Sequence, residues 1–418
     1  MEELARESIS LLASTSAKPP LDVGPRLGSM GAVFIMLKSA LGAGLLNFPW
    51  AFARAGGVRS AVTVELISLV FLISGLIILG YSSSISRQHT YQAVVKELCG
   101  TAIGQLCEIC FIFNLFMISV AFLVVVNDQL EKLCNTLYEL VTALPKSEMP
   151  YHFYTDHRFA LVLLCFFLIM PMSIPKEIAI QKYTSVLGTV AATYLTVSII
   201  IKYFTMPNVP DHRSPFYSSG YVKHIQEFLF LQCHEASIAI YSSMENQRLS
   251  HWAFVSVVAM IICLIIYSLT GVYGYLTFGK TVAPDILMSY SSHDKLMLVA
   301  RLLFGVSIIT IYPIIVLLGR SAMLRRDEAL MVKFECRSRW VLTVLWIMTT
   351  LLIAVFVPDI SKVISVIGGI SAFFIFIFPG RDLVIITLTI WGAVTLICGA
   401  FIFGQSTTVA VMELLGKI

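Results

Sequence analysis

From Met30 to Gly404 the chain is a succession of apolar segments, each about twenty residues long, with short polar connections between them. A helix of that length rises about 30 Å, the thickness of a bilayer's hydrocarbon layer. The segments lack the strict polar/apolar alternation of an outer-membrane barrel, so the chain is expected to be an all-α membrane protein. They fall at 30–52, 60–84, 106–127, 159–176, 183–206, 224–243, 252–277, 296–319, 339–357, 360–379 and 383–404, which predicts eleven transmembrane helices. Of the 418 residues 57% are hydrophobic and 13% charged, about half the charged share of a soluble domain. That excludes most soluble enzyme folds. Lys and Arg number 29 against 25 Asp and Glu, and the +4 balance is too thinly spread for a nucleic-acid surface. The lipid bilayer is the expected partner.

Residues 1–29 read as an N-terminal tail, because Met1–Gly28 is polar and has no apolar core before a cleavage site, and the basic connection between spans eight and nine puts that tail in the cytoplasm. Arg320, Arg325, Arg326, Lys333, Arg337 and Arg339 make the connection between spans eight and nine the most basic one. The positive-inside rule places it in the cytoplasm, with the C-terminus outside. Nine cysteines lie mostly in or beside apolar segments and read as small buried hydrophobes. Cys107 and Cys110 form a C-x-x-C with no second pair, so they are expected to have no metal or redox role, and no cofactor is expected beyond a coupling ion. Trp50, Trp252 and Trp340 sit at span ends and read as interface anchors, while Glu65, Asn114 and Arg301 read as partners in helix-to-helix pairing.

Span one, Met30 to Trp50, departs from a plain lipid-facing helix at Lys38, at Gly42-Ala43-Gly44 and at Pro49. Each glycine lowers helix stability by about 1 kcal/mol, and Pro49 removes a donor and clashes one turn back. The middle of the span is therefore expected to unwind. Unwound backbone is tolerated at that depth only where protein buries it or where it lines a watery cavity. Its freed amides suit a carboxylate and its freed carbonyls a small cation. The competing reading is that the two glycines only let helices pack closely. Lys38 favours the cavity, since a central lysine costs about 2.5–3.5 kcal/mol on insertion scales.

Gly42-Ala-Gly-Leu-Leu-Asn-Phe-Pro49 followed by Gly56-Gly57 resembles the first-span signature of the sodium-coupled neutral amino acid transporters, solute carrier family 38, in the amino acid/auxin permease group. The resemblance continues through Asp128-Gln-Leu-Glu-Lys132, Pro175-Lys-Glu-Ile178, Gln232-Cys-His-Glu235, Gly271-Val-Tyr-Gly-Tyr-Leu-Thr-Phe-Gly279, Pro358-Asp-Ile360, Val363-Ile-Ser-Val-Ile-Gly-Gly369 and Phe401-Ile-Phe-Gly-Gln405. It implies a LeuT-type fold: a first five-helix repeat at 30–206, a connection at 207–223, an inverted second repeat at 224–380, and an eleventh helix with a C-terminal tail at 381–418. Spans one and six are then the broken pair. The chain departs from its relatives at 224–235, which has neither glycine nor proline, and in a tighter connection after Gly380.

The resemblance also implies a sodium ion held by the backbone of Leu41 and the hydroxyls of Ser307 and Thr310, which lie one turn apart on span eight. Many relatives carry asparagine where this chain has Lys38. A neutral Lys38 leaves room for sodium, whereas a charged one occupies the cation's place and points to proton coupling or uncoupled diffusion. The implied substrate is a neutral L-amino acid such as glutamine or alanine, its carboxylate on the amides of Gly42, Ala43 and Gly44 and its other end meeting Gln232 and His234. A monomeric sodium symporter of the plasma membrane, working by alternating access, is the expectation. A non-transporting receptor and a membrane enzyme are the alternatives. The short N-terminal tail weighs against the first, and the lack of a nucleophile, metal or His/Asp constellation inside the spans weighs against the second.

Overall fold

A computed structural model describes residues 28–142, 156–174, 181–206, 233–325, 328–357, 360–372, 374 and 386–414. The chain forms α1 (Ser29–Ala40), α2 (Gly44–Arg54), α3 (Val58–Ser86), α4 (Tyr91–Cys99), α5 (Thr101–Thr142), α6 (His157–Ser173), α7 (Gln181–Thr205), α8 (His234–Ser243), α9 (Leu249–Phe278), α10 (Lys295–Arg325), α11 (Glu328–Phe356), α12 (Ile360–Ala372) and α13 (Ile386–Leu414). Among the described residues six helices are long and apolar enough to cross a membrane, and α1 with α2 make a seventh crossing bent by 58°. The apolar stretches His157–Ser173 and Ile390–Gly404 are shorter, and the expected spans six and ten are described only over 233–243 and over 360–372 with 374.

Local chemistry sets the element ends. Gly56 and Gly57, at φ 87° and 108°, turn the chain between α2 and α3 in a region where a Cβ is strained. Asp156 caps α6 by accepting from the amide of Arg158 at 3.0 Å. Inside α6 the turn Cys165–Ile169 widens to a π-turn just before Pro171, whose missing N–H cannot continue the α ladder. At 42 residues α5 is about 63 Å long and runs well past its expected limits of 106–127.

Packing is governed by notches that glycines leave. In α9, Cβ atoms at Gly271 and Gly274 would stand 2.6 Å from the Phe52 ring and 2.6 Å from the Pro49 ring, so these two positions receive the α2 half of the bent span. Gly80 of α3 takes the Trp252 ring in the same way, and Gly319 of α10 takes Trp346. Trp252 thereby corrects the expectation of an interface anchor. It is fully buried, and its indole N–H donates to the Leu76 carbonyl at 2.7 Å. Trp340 is 47% exposed and Trp50 is half-buried under Arg54, as interface positions allow.

Large apolar side chains such as Phe167, Phe204, Phe254, Leu352 and Phe356 point outward. A surface of that kind is stable against lipid and not against water. The polar side chains inside find partners, Glu65 and Asn114 on other helices and Arg301 on the segment that leads into its own helix. Glu65 of α3 accepts from Ser268 of α9 at 2.7 Å, and Asn114 of α5 donates to the Glu235 carboxylate of α8. Arg301 donates through Nη2 to the carbonyls of Leu287, Tyr290 and Ser291 at 3.0–3.2 Å. Arg320, counted above with the basic connection, is instead buried. It reaches the Ser173 carbonyl at 3.2 Å and Thr343 at 3.0 Å, tying α6, α10 and α11 together. The eight described cysteines are free thiols; Cys107, Cys165, Cys233 and Cys263 are buried.

Candidate substrate and ion site

The break in the first span falls where sequence chemistry puts it. The helical ladder of α1 ends with Leu41, whose amide donates to the Leu37 carbonyl at 2.7 Å. Gly42 then turns its amide to the Ala40 carbonyl at 3.1 Å, and Leu45 donates to Gly42 rather than to Leu41. Among the described residues no carbonyl accepts from the amides of Ala43 and Gly44, the first donors of α2. They form the positive end of a half-helix. The Leu41 carbonyl has lost its helical partner, and the Ala40 carbonyl is held by the Tyr267 hydroxyl at 2.7 Å.

A cavity of about 420 Å³ reaches this break, lined by Ser39, Gly42 and Ala43 from the bent span, by the first half of α5, by α8 and by the second half of α10. That volume lies within the usual range for small-molecule sites. Its walls are mainly Ile, Leu and Phe side chains, with Lys38 and Glu235 as charged groups near the break and Glu108 farther along α5. Thr90 and Gln92, Ser243 at the end of α8, and Ser321 near the end of α10 add polar groups to its lining.

A buried polar cluster lies at the other end of α5. Gln129 near the far end of α5 donates to Asp285 at 2.7 Å, and Asp285 also accepts from the Leu287 amide at 2.8 Å. Arg301 and Asp285 are 0% and 2% exposed. Asp294, a second acidic neighbour of Arg301, pairs with Lys202 at 2.5 Å. Burial pushes the Asp285 carboxyl up to about 7, against the opposing pull of the Leu287 amide, Arg301 and Gln129.

The nine residues singled out from sequence separate into groups. Gly42 and Ala43 line the cavity, with Gly44 directly behind them in the first turn of α2. Lys38 lines it too, and its stem approaches Ser307 over the bare backbone of Gly188 in α7: a Cβ there would lie 3.3 Å from Ser307 Oγ and 3.7 Å from Lys38 Cγ. Three helices thus meet where a cation was expected. Thr310 uses its hydroxyl on the Ser307 carbonyl at 2.8 Å, a common use of a threonine in a membrane helix. His234 is fully buried and turned away from the cavity, with Nε2 3.0 Å from the Leu72 carbonyl. Gln232 lies outside the described residues.

Gly188 and Tyr267 are the additions that geometry makes, and Glu235, which sequence offers only as polar lining of span six beside Gln232 and His234, is the member of that group on the cavity wall. Glu235 is in the first turn of α8, one position past His234, and a helical register with no fixed start could not say which of the two faces inward. Gly188 and Tyr267 sit in segments that read as ordinary apolar spans, and no sequence signal marks them.

A membrane helix broken at mid-length, with unbonded amides beside a cavity between helices, is the arrangement of a solute carrier. Comparison with known proteins agrees. Residues 26–412 match the family described as transmembrane amino acid transporter protein. The chain belongs to that family and, within it, to solute carrier family 38, whose members are transporters rather than enzymes. A protein of Xenopus tropicalis named putative sodium-coupled neutral amino acid transporter 8 is 59% identical, with the whole of both chains covered. Human solute carrier family 38 member 8 is 51% identical over 94% of this chain and 96% of its own, and sodium-coupled neutral amino acid transporter 7 of Danio rerio is 38% identical over 95% and 91%. The Xenopus alignment takes 446 positions against 418 residues here, so that relative has stretches with no counterpart in this chain.

Proposed function

We propose that this chain is a secondary active transporter that carries a neutral amino acid of the glutamine or alanine kind through a plasma membrane by sodium symport. The observation that carries the reading is the break at Leu41–Ala43, where two unbonded amides meet the end of a cavity of about 420 Å³. An α-carboxylate is the ligand such a half-helix end takes. The names of the relatives supply the neutral amino acid and the sodium.

In this reading the protein works as a monomer of eleven spans in a five-plus-five inverted repeat plus one helix, and it alternates access by rocking one repeat against the other. With Arg325, Arg326 and the rest of the basic connection marking the cytoplasmic end, the Ser321 end of the cavity faces the cytoplasm and the Asp285 cluster lies toward the outer side. Sodium sits against the Leu41 carbonyl with Ser307 and Thr310. One charge crossing about 60 mV is worth roughly 1.4 kcal/mol, or about tenfold accumulation before any chemical gradient.

One observation favours a second reading. Lys38 reaches into the Gly188 and Ser307 neighbourhood, and an ammonium there would fill the cation's place. The carrier is then proton-coupled or uncoupled. Uptake of labelled glutamine into proteoliposomes tests both, with an inward sodium gradient, without it, and with a pH gradient imposed alone. Sodium-driven accumulation is the expected result. Equal uptake in all three conditions removes coupling, and no uptake of any neutral amino acid removes the carrier reading.

A further inference from the structure

A free amino acid is a zwitterion whose ammonium lies one carbon from its carboxylate. A site that grips the carboxylate on backbone amides must offer an acceptor a few ångströms away, because an unpaired ammonium in an apolar cavity is strongly disfavoured. The break supplies donors at Ala43 and Gly44. The residues on the cavity wall near it are otherwise apolar, small or, in Lys38, of the wrong sign. Glu235 is the exception. It lines the same cavity from α8, a helix packed directly on α1, and the side chain of Asn114, itself 0% exposed, donates to its carboxylate. That contact fixes the rotamer of the carboxylate from behind.

We propose that Glu235 is the group that receives the substrate's α-ammonium, with Asn114 as its positioning residue. The assignment rests on the carrier reading above and deepens it. The site takes α-amino acids as zwitterions and rejects the 2-hydroxy acids of the same side chain, which bring the carboxylate and no cation. The side chain of the ligand is left to the apolar wall of α5 and α10, where Phe122 and Ile315 stand.

The test is competition by alanine and by lactate for bound labelled glutamine on the purified full chain in lipid nanodiscs. The unaltered chain should prefer alanine to lactate by about tenfold to a hundredfold, the usual worth of one charge-assisted contact. Glu235→Gln should bring that preference close to unity while lactate binding is kept. Glu235→Asp, which retains the charge on a shorter arm, should restore part of it. A Glu235→Gln chain that folds and keeps the full preference overturns the assignment alone. An unaltered chain that binds no neutral amino acid overturns the carrier reading and this one with it. Carbodiimide labelling of Glu235 in the unaltered chain, read by peptide mass, decides the matter without any variant. Alanine should slow the labelling and lactate should not; equal labelling in both overturns the proposal.

Discussion

The hydroxyl of Tyr267, in the middle of α9, donates a 2.7 Å hydrogen bond to the carbonyl of Ala40, the last residue of the first half-helix. The Tyr267 ring also stands edge-on to Phe48 at 4.7 Å, so one side chain holds both halves of the bent span. An interrupted helix inside a membrane must find partners for the carbonyls it releases, and here a neighbouring helix supplies one. Tyr267→Phe keeps the ring and leaves that carbonyl short of a partner. A loss of about 1–3 kcal/mol is expected, read as a lower melting temperature in detergent, with weaker glutamine binding beside it. An unchanged melting temperature would show that the break holds itself open.

Two glycines in the same region should respond in opposite ways. A Cβ at Gly42 would meet only Phe122, at 3.9 Å, whereas one at Gly274 would stand 2.6 Å from the Pro49 ring. Gly42→Ala is therefore expected to fold with near-normal stability and to obstruct the floor of the cavity, reducing uptake. Gly274→Ala forces α2 and α9 apart at a cost of about 1–3 kcal/mol. Size-exclusion profiles and melting curves separate the two effects, and equal destabilisation would contradict the open space at Gly42.

Ion dependence should follow the neighbourhood of Gly188. Lys38→Asn replaces an ammonium by a group whose carbonyl can face a cation, so sodium stimulation of uptake should rise. Gly188→Ala narrows the gap between Lys38 and Ser307, with its methyl 3.3 Å from Ser307 Oγ, and should blunt any sodium effect while leaving the fold intact. Sodium titrations of uptake in both variants check this; identical curves would take the ion away from this corner.

In the buried polar cluster, Asp285 predicts a pH dependence. Its pKa in the folded protein, about 7, lies above its ordinary value of 3.8. Between those two values the folded chain binds the proton more tightly than the unfolded chain, so its contribution to stability is largest at low pH, falls as pH rises and levels off above about 7. Melting temperatures from pH 4 to 8 should show this slope in the native chain, less that of Asp285→Asn. Asn has one acceptor oxygen for the two donors Leu287 and Gln129, so the variant should be less stable at low pH by about 1–3 kcal/mol, and the deficit should shrink as pH rises toward 7; a deficit that grows with pH would contradict the raised pKa.

Much of this protein was legible in its sequence because lipid simplifies the problem. A stretch such as Val58–Ser86 has only one way to satisfy its backbone in hydrocarbon, so apolar length translates directly into a crossing helix. The break at 41–43 was legible for the same reason in reverse: Gly42, Gly44 and Pro49 weaken a ladder that nothing else nearby can replace. The pairing of Glu65, Asn114 and Arg301 between elements followed from the cost of leaving them alone.

Only the folded chain decided which polar groups face the cavity and which face a neighbour. His234 and Glu235 are adjacent in sequence, yet one is turned to the Leu72 carbonyl and the other to the cavity, a difference set by how α8 is rotated against α3 and α5. Trp252 sits at the end of a span and is nonetheless sunk against Gly80, because a notch one helix away admits it. Sequence fixes where a helix in lipid must form or fail, since that depends on local composition and on the missing water. The direction in which each side chain then points depends on helix rotation, and rotation is settled by contacts between residues far apart in the chain.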